Sequence, residues 1–131
     1  MMIVLSRRMV LAATLALGVA APAFAEPRLG QPAPAFKIMD ESGHERALSD
    51  FAGKTVVLEW TNSGCPYVGK HYDSGTMQAL QHKATGEGVV WLTVSSSAPD
   101  TQGYFTAPTA RAWKAKEHSV ATAILLDSAG K

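Results

Sequence analysis

The chain has 131 residues, 47% hydrophobic and 18% charged, with 12 Lys and Arg against 11 Asp and Glu for a formal net charge of +1. That length builds one domain and is too short for two with separate cores. The balanced charge, with lysines at 37, 54, 70, 83, 114, 116 and 131 scattered rather than clustered, excludes recognition of nucleic acid by a basic surface.

Residues 1–25 read as an export signal. Arg7 and Arg8 form a positive start, Met9 to Ala20 an apolar stretch short for a bilayer, and Ala23-Phe24-Ala25 a small-residue cleavage site. The string SRRMVL also resembles the twin-arginine pattern, with Val10 where Phe is usual. The expectation is cleavage after Ala25, a periplasmic location, and contact with the membrane only through the signal. Beyond residue 25 all eleven acidic residues face ten Lys and Arg, a formal charge of −1 once Arg7 and Arg8 are removed.

The mature segment, 26–131, opens with the proline-rich EPRLGQPAP, which cannot be helical. AFKIM, the turn-forming DESGHE and Arg46 to Leu48 predict a small hairpin. LSDFAGK predicts one helical turn closed by Gly53. KTVVLEW, β-branched and continuously apolar, is expected as a central strand covered on both faces, with Trp60 in the core. A helix is expected from Pro66 to His71, interrupted by Asp73, Ser74 and Gly75, resuming at Met77 and ending near Gly86. GVVWLTV predicts a second strand with Trp91 inside. SSSAPDTQGYFTAPT predicts an exposed loop, and Pro108 opens a helix to about Glu117 that packs through Trp113. ATAILLD predicts a third strand, followed by the turn DSAGK. Strands alternating with helices imply right-handed crossovers and a largely parallel α/β sheet, with functional groups gathered at the C-terminal ends of the strands.

Cys65 is the only cysteine in the chain. In VVLEWTNSGCPYVGKHY it stands where a strand gives way to a helix opened by Pro66, so the helix dipole and free amides favour the thiolate, the reactive form of cysteine. A free cysteine is also a common apolar filler. The polar Asn62, Ser63 and Gly64 before it argue for an accessible position instead. In an oxidising compartment one unpaired sulfur that reacts must pass through sulfenic acid or a mixed disulfide, and an outside reductant has to resolve it.

The motifs GQPAPAFKIMDESGHERALSDFAGKTVVLEW, Cys65-Pro66, GVVWLTVSSS and ILLDSAGK, in that order and spacing, resemble the thioredoxin-like redoxins. Within them they are most similar to the alkyl hydroperoxide reductase and thiol-specific antioxidant (peroxiredoxin-like) branch and to exported thioredoxin-like reductases. The resemblance covers residues 30–131. It implies a thioredoxin-like fold, antioxidant or disulfide-exchange activity at Cys65, a peroxide or disulfide substrate, and an external thiol reductant or thioredoxin-like reductase as partner. It implies no cofactor.

Three departures bear on that implication. Val68 stands at the second position of the C-x-x-C motif, and Asn62 where peroxidases of the family carry Thr or Ser. The chain also stops where family members continue with a helix, a strand preceded by a cis-proline and a last helix, so the domain is expected to be incomplete, with one sheet edge unpaired. Cys65 is then the candidate nucleophile, supported by Thr61 and Asn62 as hydrogen-bonding groups, Pro66 as helix starter, and Lys70 and His71 as sources of positive charge. His71 is as readily an ordinary surface histidine. Tyr67 and Tyr72 are expected to pack. The alternative function is a noncatalytic thioredoxin-like module that binds an exported partner. A metal held by Cys65 and His71 has too few ligands.

Overall fold

The computed structural model describes residues 29–130, and the expected export signal lies outside the described residues. From Pro34 onward the chain forms an antiparallel hairpin and a three-stranded parallel sheet. The hairpin pairs β1 (Lys37–Met39) with β2 (Glu45–Ala47) and runs into a 3-10 turn at Leu48–Phe51. The sheet contains β3 (Val56–Trp60), β4 (Val90–Ser95) and β5 (Ala123–Leu126), in that spatial order.

Two helices, α1 (Pro66–Asp73) and α2 (Thr76–Gly86), make the first crossover, and α3 (Ala107–Lys116) makes the second. The break between α1 and α2 is Gly75, whose φ of +73° sits in the left-handed region that glycine enters without strain. α3 begins one residue before Pro108, with Thr106 as its N-cap accepting from the Thr109 N–H.

Alternation along the strands separates two cores. Val90, Leu92, Val94, Ala123 and Leu125 point to the side covered by Ile38, Phe51 and the half-buried Phe36 and Val56. Ile124 points to the other side, where Tyr72, Phe105, Ala110 and Trp113 join it from the helices and the loop before α3. The Tyr72 and Trp113 rings meet edge-on at 4.9 Å, and Phe105 lies 5.5 Å from Trp113. Phe105 is thus a buried anchor inside the loop expected to be wholly exposed.

The hairpin turn also closes the outer edge of β5. The Glu41 N–H donates to the Ile124 carbonyl at 3.0 Å, and Glu41 Oε2 accepts the Ile124 N–H at 2.7 Å, so a side chain completes what a neighbouring strand would supply. Lys114 Nζ binds Glu41 Oε1 at 2.8 Å, tying α3 to the same carboxylate. Asp40, 1% exposed, holds the turn itself, accepting from the Ser42 and His44 N–H groups at 2.8 and 2.9 Å and from Arg46 Nε at 2.8 Å. Burial pushes its carboxyl up, but the bonds from His44, Arg46 and Ser42 outweigh burial and hold it below the ordinary 3.8.

Three expectations need correction. β3 is an edge strand among the described residues, not a central one, because both crossovers advance in the same direction from it. Trp60 is 63% exposed rather than in the core: its neighbour Glu59 takes the helix-covered side, so Trp60 shares the opposite face with Val56 and Leu58 and stands in water at the end of the edge strand. Tyr67 is 75% exposed rather than packed, whereas Tyr72 is buried as expected.

Candidate active site

Cys65 is the N-cap of α1, with φ −81° and ψ 123°, and its side chain makes no capping bond. The thiol is half-buried. Pro66 fills the first helical position, where its missing N–H costs nothing and its fixed φ suits the helix. The Cys65 carbonyl already accepts from the Gly69 N–H at 3.0 Å, so helix geometry leaves the Tyr67 and Val68 amides of the first turn without partners inside α1. An anionic sulfur, or an oxygen bound beside it, meets the positive end of the helix there.

The turn before Cys65 is tightly bonded. Asn62 Oδ1 accepts the Gly64 N–H at 2.9 Å and the Asn62 carbonyl accepts the Cys65 N–H at 2.9 Å, so one residue shapes the turn through both its side chain and its backbone. Thr61 leaves the sheet with its N–H bonded to the Val94 carbonyl at 2.9 Å; its hydroxyl is buried and has no hydrogen-bond partner. The loop after β4 meets this turn from the other side: Asn62 Nδ2 donates to the Gln102 carbonyl at 3.0 Å, and Gln102 Nε2 donates to the Gly64 carbonyl at 2.8 Å.

The structure therefore gathers Thr61, Asn62, Cys65 and Pro66 at one place. Lys70 and His71 are elsewhere: both are exposed and belong to the last turn of α1. Five and six residues past Cys65, they project to other sides of the helix than the sulfur, at an end where cations suit the dipole in any helix. Val68 is half-buried against the cluster of Tyr72, Phe105 and Trp113, so the position of a second thiol is occupied by packing.

Sequence reasoning passed over two residues. Gln102 lay in a loop with no pattern to single it out. Glu59 stands inside the apolar run Val56–Trp60, yet it is the centre of a buried polar network beneath α1 and α2. Its carboxylate accepts from Tyr72 Oη at 2.9 Å, Gln81 Nε2 at 3.2 Å, Trp91 Nε1 at 2.7 Å and Thr93 Oγ1 at 3.2 Å. Gln81, fully buried, also accepts from Ser119 Oγ at 3.1 Å and the Val120 N–H at 3.0 Å through its own oxygen. Burial, then the charge and hydrogen bond of Glu59, push the Tyr72 phenol above its ordinary value of 10.0. A lone carboxylate inside a strand, with Trp91 and Thr93 on another, was the signal available in the sequence.

Residues 29–131 match the family model described as AhpC/TSA. The chain belongs to the AhpC/TSA family. This AhpC/TSA protein is accordingly thioredoxin-like and a member of a family of thiol-disulfide oxidoreductases and peroxidases, which act with thiol or peroxide substrates and reductants. No curated protein matches it in sequence. Among solved structures it is similar to the exposed lipoprotein thioredoxin of Streptococcus pneumoniae, at 25% identity and a TM-score of 0.53, covering 74% of this chain and 68% of that one. It is similar in fold to the thioredoxin domain of a thiol-disulfide oxidoreductase from Bacteroides vulgatus, at 20% identity and a TM-score of 0.54, covering 76% of this chain and 64% of that one. A thiol peroxidase from Chromobacterium violaceum shares the fold at 18% identity and a TM-score of 0.52, covering 76% of the AhpC/TSA protein and 52% of its own chain.

Proposed function

We propose that this protein is an exported redox protein in which Cys65 alone is the nucleophile, attacking a peroxide oxygen or the sulfur of a partner's disulfide. The observation that carries the reading is the seat of Cys65, half-buried at the start of α1 and free of any capping bond, in a chain of the AhpC/TSA family. The thiolate is the attacking form, and a helix start supports negative charge.

With a peroxide, the Cys65 S–O bond forms as the O–O bond breaks. The sulfur is oxidised to sulfenic acid, and the leaving oxygen takes the electron pair and a proton to become an alcohol or water. An external thiol then condenses with the sulfenic acid, releasing water and leaving a mixed disulfide. A second external thiol attacks that disulfide, restoring Cys65 and carrying away the oxidised pair. With a partner disulfide, the new S–S bond forms as the old one breaks and a thiolate leaves. In this reading the resolving sulfur comes from another molecule, a small thiol or a thioredoxin-like reductase, because Cys65 is the one cysteine among these 131 residues.

In this reading Pro66 sets the helix start, Asn62 shapes the turn, and the Thr61 hydroxyl is held near the site without a competing bond. Lys70 and His71 contribute long-range positive charge only. Residues 1–25 direct export to the periplasm and are removed after Ala25, which intact mass of the exported chain checks by a new terminus at Glu26. The test of Cys65 is intact mass after stoichiometric hydrogen peroxide in the presence of a sulfenic-acid trap. One adduct is expected, absent from Cys65→Ser and prevented by prior thiol alkylation. A thiol that gains no oxygen and forms no mixed disulfide with a disulfide probe would overturn the assignment.

A further inference from the structure

We infer that Gln102, on the loop after β4, is a positioning residue that sets the reactivity of Cys65; the inference rests on the reading of Cys65 as the reacting group. The observation is a two-way amide clasp. Gln102 Nε2 donates to the Gly64 carbonyl at 2.8 Å, and the Gln102 carbonyl accepts from Asn62 Nδ2 at 3.0 Å. These bonds join turns 38 and 40 residues apart in sequence.

The group they hold is the peptide bond that enters Cys65. Its carbonyl accepts from Gln102, and its N–H donates to the Asn62 carbonyl at 2.9 Å. A peptide plane bonded at both poles cannot rotate without losing both bonds. Rotation of this plane changes φ of Cys65, now −81°, and with it the direction in which the sulfur leaves the backbone over the first turn of α1. Asn62 is held in turn at both ends of its carboxamide, by the Gly64 N–H and the Gln102 carbonyl, so the clasp closes on itself.

Two glycines make room for it. A Cβ on Gly64 would stand 2.5 Å from Gln102 Cγ and Nε2. A Cβ on Gly103 would overlap the Asn62 carboxamide, and its φ of +81° is one that L side chains rarely adopt. The close approach of the two turns is therefore built into both backbones. The clasp bonds are exposed to water, and one such bond shifts a local equilibrium by roughly two- to tenfold. A device of that size tunes the thiol without deciding whether the domain folds.

The experiment compares the full chain with Gln102→Met, which keeps the length of the side chain but not its donor, with Gln102→Ala and with Gln102→Glu. Cys65 rate constants with hydrogen peroxide and with dithiobisnitrobenzoate are measured beside the Cys65 amide chemical shift. Both rates are expected to fall roughly three- to tenfold in each variant at neutral pH, with the urea midpoint unchanged. In Gln102→Glu the Cys65 amide shift is expected to return toward wild type as pH falls through about 4.3, where the protonated carboxyl regains a donor. Rates within twofold of wild type in Gln102→Met and Gln102→Ala overturn the inference, whether or not the amide moves. An inert thiol in the unsubstituted chain overturns the functional reading instead, and the amide shift then still decides whether Gln102 positions the turn.

Discussion

Substituting Glu59 by alanine removes a carboxylate to which four side chains donate, and the cost follows from which of them can find another acceptor. The Thr93 and Tyr72 hydroxyls can rotate, and the Gln81 amide keeps its bond to Tyr72 Oη at 3.0 Å. The Trp91 indole N–H is a donor only, 2.7 Å from the carboxylate in a residue 5% exposed, and has nowhere to turn. One to two buried donors are thus stranded at about 1–3 kcal/mol each, a loss centred near 3 kcal/mol. That is a large part of the roughly 5–15 kcal/mol that holds a domain of this size together. Glu59→Gln keeps an oxygen for Trp91 and presents its NH2 to the Tyr72 oxygen, so it should cost only about 1–2 kcal/mol. Urea denaturation followed by tryptophan fluorescence separates the two. The Gln variant also removes the charge that, after burial, raises the Tyr72 phenol, so phenolate absorbance should titrate closer to 10.0 than in wild type. Because a raised phenol stabilises the fold below 10.0 and loses that contribution as pH climbs past it, the alkaline loss of stability should be smaller in the Gln variant. Ala and Gln variants that both unfold within about 0.5 kcal/mol of wild type would refute the network as a source of stability.

Ile124 is fully buried between the sheet and the helices, so Ile124→Ala should cost about 2–5 kcal/mol, measured by the same denaturation. The Asp40 carboxyl is held below its ordinary 3.8, so its contribution is complete above that value and should be lost as pH falls through and below it. Asp40→Asn should flatten that acid limb in a pH series of melting temperatures; an unchanged limb would assign acid unfolding to other carboxylates.

Much of the fold was legible because its signals are local. Pro66 after a strand, Gly75 inside a helical pattern and Pro108 after a polar loop each act through their own backbone geometry, and the helices begin within a residue of them. The alternation of apolar strands and helices fixed the parallel pairing of β3, β4 and β5. The position of Cys65 at the start of α1 was legible for the same reason. Gln102 was not legible, since its partner is a backbone carbonyl 38 residues away and a carbonyl carries no sequence signature.

By itself the sequence determined the order and kind of the elements, the single sulfur and its seat between a strand and a helix. Tertiary structure alone decided which side of each strand met which neighbour. Hydropathy would bury Trp60 and expose Glu59, but the strand alternates, and the donors of Tyr72, Gln81, Trp91 and Thr93 lie on only one side of it. Satisfying four buried donors with one carboxylate outweighs hiding one indole, so the charged residue faces inward and the tryptophan stands in water.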